Sequence, residues 1–105
     1  MKILFDQGTP VPLRELLPKH EIHTAFELGW SQLQNGELLS SAVANGYEVL
    51  ITTDQNLRYQ QNLAERRIAV LVLLSTSWPR IKKRIEEIRT SLESLSSTGY
   101  IEIAV

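Results

Sequence analysis

Hydrophobic positions along the chain fall into two rhythms. The runs Ile3-Leu4-Phe5 and Val49-Leu50-Ile51, and the unbroken apolar stretch 68–74, are rich in β-branched and large aliphatic residues. That is how strands covered on both faces read. A looser alternation over 21–25, with Ile22 and Thr24 on one side and His23 on the other, predicts a further strand, and 100–105 alternates as a last one. Between them the period changes. Leu38, Leu39, Ala42 and Val43 recur at helical spacing after an N-cap at Asn35, and Gly46 stops that helix. Pro10 and Pro12 set the start of a short helix over 13–17 that Pro18 ends. Phe26 to Trp30 predicts a helical turn closed by Gly29. Residues 57–65 predict a short exposed helix, anchored by Leu57 and Leu63. The longest helix is expected over 78–94, with Ile81, Ile85, Ile88, Leu92 and Leu95 as its buried stripe.

Strands alternating with helices imply an α/β domain with a mainly parallel sheet of about five strands and helices on both faces. Right-handed crossovers leave few ways to wind five such strands. They place the first strand at or beside the point where the winding reverses, with the 48–52 strand close by. Ligands bind such sheets at the carboxyl ends of strands next to that reversal.

Composition narrows this picture. At 105 residues the chain is expected to form a single domain, and no repeat or linker divides it. It has no cysteine, which excludes thiolate catalysis, disulfides and Cys-based zinc sites. The 68–74 run is far short of the roughly 20 residues a membrane span needs, and no leader pattern precedes the first strand. The cytoplasm is therefore expected, with no membrane partner. A formal charge of −1 provides no overall field for nucleic acid, so any such partner must be held by a local patch.

Candidate chemistry gathers at strand ends. The first strand stops at Asp6, and the Val49-Leu50-Ile51-Thr52-Thr53 run stops at Asp54. Two carboxylates about 4 Å apart repel by roughly 1 kcal/mol in water and about 4 kcal/mol at an effective dielectric of 20. A fold that brings them together must shift a pKa or supply a cation, and magnesium and manganese favour such oxygen donors. Either aspartate alone also reads as a helix N-cap, and Glu37, in the first turn of its helix, as a partner for the helix dipole. Spacing does not decide between these roles for Glu37.

The opening Met1-Lys2-Ile3-Leu4-Phe5-Asp6, the middle Glu27-Leu28-Gly29-Trp30 with Asn35-Gly36-Glu37-Leu38-Leu39, and Val49-Leu50-Ile51-Thr52-Thr53-Asp54-Gln55-Asn56-Leu57 together resemble the compact PIN-like proteins. These are small relatives of the PIN-domain ribonucleases, which include VapC-type toxins. The resemblance runs from residue 1 to about Leu74. It implies a three-layer α/β/α fold and a Mg2+- or Mn2+-dependent endoribonuclease that hydrolyses RNA through metal-activated water. By position, Asp6, Glu37 and Asp54 would hold the metal, and Thr53 would orient a ligand. It also implies a toxin of a toxin–antitoxin pair, with an antitoxin as partner. Such nucleases bring a further acid after the next strand, where this chain has Ser75-Thr76-Ser77, and Gln7-Gly8 stands where relatives often have an asparagine. Three carboxylates and a single metal are then expected. An inactive module that only binds RNA or protein is the alternative.

Other residues take supporting roles. Asn56, Arg58 and Gln61, with Thr53, are the expected contacts to a single-stranded RNA, since the arginine fork suits phosphate. Arg58, Arg66 and Arg67 read equally as a solvated helix face. His20 and His23 read as surface or edge positions, and Trp30 and Trp78 as core closures. The helix over 78–94 is expected to serve the core on one face, with a homodimer interface as a further expectation. A receiver-like signalling domain, with Asp54 as phospho-acceptor and Ser75 or Thr76 switching, is the rival from another class. It expects an acidic pair after the first strand, where Asp6 stands single.

Overall fold

The computed structural model describes residues 1–33, 35–55, 67–95 and 99–105. Five strands, β1 (Lys2–Phe5), β2 (Glu21–Thr24), β3 (Val49–Thr52), β4 (Ala69–Leu73) and β5 (Tyr100–Ile103), form one sheet in the order β2-β1-β3-β4-β5. Every pairing is parallel. The chain leaves β1 toward β2 on one side and returns to β3 on the other, so the winding reverses between β1 and β3. Phe5 pairs with Ile51 across that line, and the Asp6 N–H extends the ladder to the Ile51 carbonyl at 3.3 Å.

Strand parity sorts the side chains into two cores, giving a three-layer α/β fold. Ile3, Phe5, Val49, Ile51, Ala69 and Leu71 point to one face, where Leu13, Ile81, Ile88 and Leu92 cover them. Leu4, Leu50, Val70 and Val72 point to the other, against Leu38, Leu39 and Ala42 of α1 (Asn35–Ala44). β3 and β4 are buried at every residue, which explains why their sequences are apolar without alternation. α1 ends as its sequence predicts: Gly46 takes φ +82°, in the left-handed region that favours glycine, and its N–H bonds the Val43 carbonyl. Asn35, expected as the cap, is itself the first residue of α1, and the expected helix over 57–65 lies outside the described residues.

Two helices differ from expectation. Residues Val11–Leu16 form a 3-10 helix, not an α-helix, because the six positions fit between Pro10 and Pro18 with a further proline at Pro12. The helix expected over 78–94 is two helices, α2 (Trp78–Lys83) and α3 (Ile85–Ser94). Arg84 at the break has φ −104° and ψ 18°, and its N–H turns back to the Ile81 and Lys82 carbonyls. Neither proline nor glycine stands there. The tightened turn leaves Ile81 and Ile88 both fully buried, while Ile85 between them is only partly covered. No helix among the described residues is long and apolar enough to cross a membrane.

Candidate functional site

The carboxyl edge beside the reversal is built by three short segments. After β1 the chain turns at once, with Thr9 N–H bonding the Asp6 carbonyl at 3.2 Å. Asp6 Oδ1 accepts the Gly8 N–H at 3.2 Å and lies 2.8 Å from Thr9 Oγ1. Asp6 Oδ2 accepts a short hydrogen bond from the Thr52 hydroxyl. That same hydroxyl oxygen accepts the Asp54 N–H at 3.0 Å, so one buried threonine ties both aspartates to the end of β3. Thr53 stands against the opposite loop: a Cβ added at Gly8 would run into its Oγ1.

Electrostatics at this edge are unfavourable for a charged Asp6. Burial pushes its carboxyl above the usual carboxylate range, and the facing charge of Asp54 pushes the same way. The hydrogen bonds from Thr52, Thr9 and Gly8 pull it back without cancelling the rise. Thr9 Oγ1 is 2.8 Å from both Asp6 Oδ1 and the Ile51 carbonyl, yet a hydroxyl has one proton to donate. The Gly8 N–H and the Asp6 N–H are the second donors to these two oxygens, so the Thr9 proton can serve either one.

Of the carboxylates expected to act together, Asp6 and Asp54 are thus adjacent. Glu37 is exposed in the first turn of α1, and among the described residues no group of three or more His, Cys, Asp or Glu side chains is gathered to hold a metal. The donors at hand are all oxygen: two carboxylates with the Thr53 hydroxyl nearby. This set suits Mg2+ or Mn2+, which commonly take one or two protein carboxylates and complete their shell with water and substrate phosphate. Asn56, Arg58, Gln61 and Arg66 lie outside the described residues, and Arg67 is exposed just before β4.

Sequence reasoning missed Thr9 and Thr52, whose hydroxyls hold Asp6, and a reciprocal cap after β2. Glu27 Oε1 accepts the Thr24 N–H at 2.9 Å while Thr24 Oγ1 accepts the Glu27 N–H at 3.1 Å. The Thr24-x-x-Glu27 spacing of a capping box was the signal for it. The cap fixes Glu27 to pair with Arg14 at 2.6 Å and leaves Phe26 facing outward. Asp6, Thr24, Phe26, Glu27, Val11 and Arg14 together line a cavity of about 560 Å³.

The histidines and tryptophans have structural partners. His23 Nδ1 lies 2.9 Å from the Tyr47 hydroxyl, and Trp30 meets the Tyr47 ring edge-on at 6.0 Å between centroids. His20 Nδ1 lies 3.2 Å from the Met1 amino group, and Trp78 packs on the first core. A second concavity of about 430 Å³, between the 3-10 helix and α3, lies at the opposite end of the sheet. Its arginine is already engaged, since Arg89 donates to the Leu16 carbonyl and to Glu86. No protein-family model, curated protein or solved structure matches the chain.

Proposed function

We propose that the chain is a PIN-like, Mg2+- or Mn2+-dependent endoribonuclease whose acidic centre is the Asp6–Asp54 pair. The observation that carries this reading is the nearness of two strand-end aspartates across the reversal between β1 and β3, Asp6 bonded to Thr52 through its carboxyl and Asp54 through its N–H. Ligands of parallel α/β sheets bind at such reversals. Two facing carboxylates, one of them held unfavourably charged by burial, form a place that a divalent cation stabilises. When bound, such an ion supplies Lewis-acid polarisation of a phosphoryl group and lowers the pKa of water. The chain's own contribution is orientation. Thr9, Gly8 and Thr52 fix the Asp6 carboxyl from three directions, and Thr53 presents a hydroxyl beside it. On this reading the chain works on single-stranded RNA in the cytoplasm, and its protein partner is an antitoxin.

A receiver-like domain is the second reading, favoured by one observation. The strand order β2-β1-β3-β4-β5 is that of flavodoxin-like folds, with the ligand site at the same reversal. The single acid after β1 weighs against it. The deciding experiment is cleavage of a single-stranded RNA in Mg2+ or Mn2+ by the unaltered chain, Asp6→Asn and Asp54→Asn. Loss of metal-dependent cleavage by on the order of 100-fold or more in both variants is expected, as for removal of a charge-stabilising group. Cleavage that persists in both sinks the assignment, and stable labelling of Asp54 by a small phosphodonor favours the receiver.

A further inference from the structure

The described residues expose three large hydrophobic side chains, Met1, Val11 and Phe26, and two of them line the cavity that Asp6 also lines. Phe26 is 76 % exposed and Val11 49 %. Phe26 and Val11 together bring an apolar surface into the lining of a cleft that Asp6, Arg14 and Glu27 make polar. Here the local structure holds the phenyl ring out: the Thr24–Glu27 cap, with Gly29 at φ +74° closing the turn, sets the backbone on either side of Phe26.

Resting on the nuclease reading above, we infer that Phe26 and Val11 form a subsite that stacks one nucleobase of a single-stranded substrate next to the Asp6–Asp54 pair. Three features fit that occupant. The cavity, about 560 Å³, is in the range of small-ligand sites and has Asp6 in its lining, so a base lying in it brings its phosphate near that carboxylate. An exposed phenyl face stacks on any base, which is how single-stranded nucleic acid is held without regard to sequence. The rim adds a preference. The Glu27 carboxylate, held through Oε1 by Arg14 and the Thr24 N–H, lines the cavity as an acceptor. A carboxylate oxygen accepts from the exocyclic amino group of cytosine, as it does in groove recognition, whereas uracil offers its N–H between two carbonyls that the carboxylate repels. The subsite therefore favours cytosine over uracil.

Fluorescence anisotropy with labelled hexacytidylate and hexauridylate, in calcium buffer to replace magnesium, tests this. The unaltered chain is expected to bind hexacytidylate more tightly. Phe26→Ala is expected to weaken both on the order of 10-fold, Phe26→Tyr to restore binding, and Glu27→Gln to reduce the cytosine preference. Because Phe26 is exposed, its variants should keep the melting temperature of the unaltered chain. Unchanged affinity in Phe26→Ala, or no binding of either oligonucleotide by the unaltered chain, overturns the subsite. Manganese binding, followed by calorimetry on the same proteins, separates the two claims. Normal manganese binding with unchanged RNA affinity in Phe26→Ala removes only the subsite. A Phe26-dependent affinity without manganese binding keeps the subsite and removes the metal centre.

Discussion

Replacing Asp6 in two ways separates its role in the loop from the role of its charge. In Asp6→Asn, the amide oxygen can still accept from Gly8 and Thr9, and the amide nitrogen can donate to Thr52 Oγ1. The Gly8 and Thr9 bonds are kept and a buried charge is removed, but the Thr52 hydroxyl proton loses the oxygen it donates to. In Asp6→Ala, Thr9 retains the Ile51 carbonyl, and the Gly8 N–H can turn to water. The Thr52 hydroxyl, 1 % exposed, loses its acceptor. A buried donor stranded in this way costs about 1–3 kcal/mol. For a domain near 100 residues that lowers Tm by roughly 4–8 °C per kcal/mol.

The pH dependence follows from the direction of the Asp6 shift. Its folded pKa is raised above the unfolded value of about 3.9, so the native state binds the proton more tightly. The stability it contributes is whole below that unfolded value and is lost as pH rises through the folded pKa. Urea unfolding in EDTA should therefore find the unaltered chain gaining stability relative to Asp6→Asn as pH falls from 7 toward 4. Asp6→Ala, which also loses the Gly8 and Thr9 contacts, should stay the less stable of the two variants throughout. If the unaltered chain instead loses stability relative to Asp6→Asn over that range, the charged carboxylate is a favourable structural anion, and the electrostatic account of the site fails.

Gly8→Ala should cost about 1–3 kcal/mol by urea unfolding, from steric overlap with Thr53 alone, since Gly8 does not have a positive φ. Its RNA cleavage should fall as the Thr53 hydroxyl is displaced. Glu37→Gln, at an exposed position outside the Asp6–Asp54 pair, should lose less cleavage activity than Asp6→Asn; an equal loss would return Glu37 to the acidic centre. Ile81→Ala should cost about 2–5 kcal/mol and Ile85→Ala distinctly less, because the turn at Arg84 leaves Ile81 fully buried and Ile85 only partly covered. Equal costs by chemical denaturation would argue for one continuous helix in solution.

The sheet was legible because burial on both faces forces continuous apolar strands, and Ile3-Leu4-Phe5 and Val49-Leu50-Ile51 have no other economical home. The aspartates were legible because each ends such a run. What escaped depends on contacts between distant parts of the chain. Thr52 and Thr53 are adjacent and chemically alike, and only the register of Phe5 against Ile51 turns Thr52 toward Asp6. Thr9 reads as a turn residue until the sheet brings the Ile51 carbonyl to its hydroxyl. The break at Arg84 has no local signal, because helical periodicity continues through it. Phe26 fits a helical turn whether it faces inward or outward, and the Thr24–Glu27 cap decides which.

The central claim is that the carboxylate pair at the reversal takes a divalent cation, and titration calorimetry of Mn2+ into the metal-free chain tests it most directly. The account predicts saturable binding by the unaltered chain. Asp6→Asn and Asp54→Asn should each weaken it by more than the roughly 10–100-fold that loss of an outer hydrogen-bonding partner costs a metal site. Equal manganese affinity in all three proteins, or none in the unaltered chain, would contradict it.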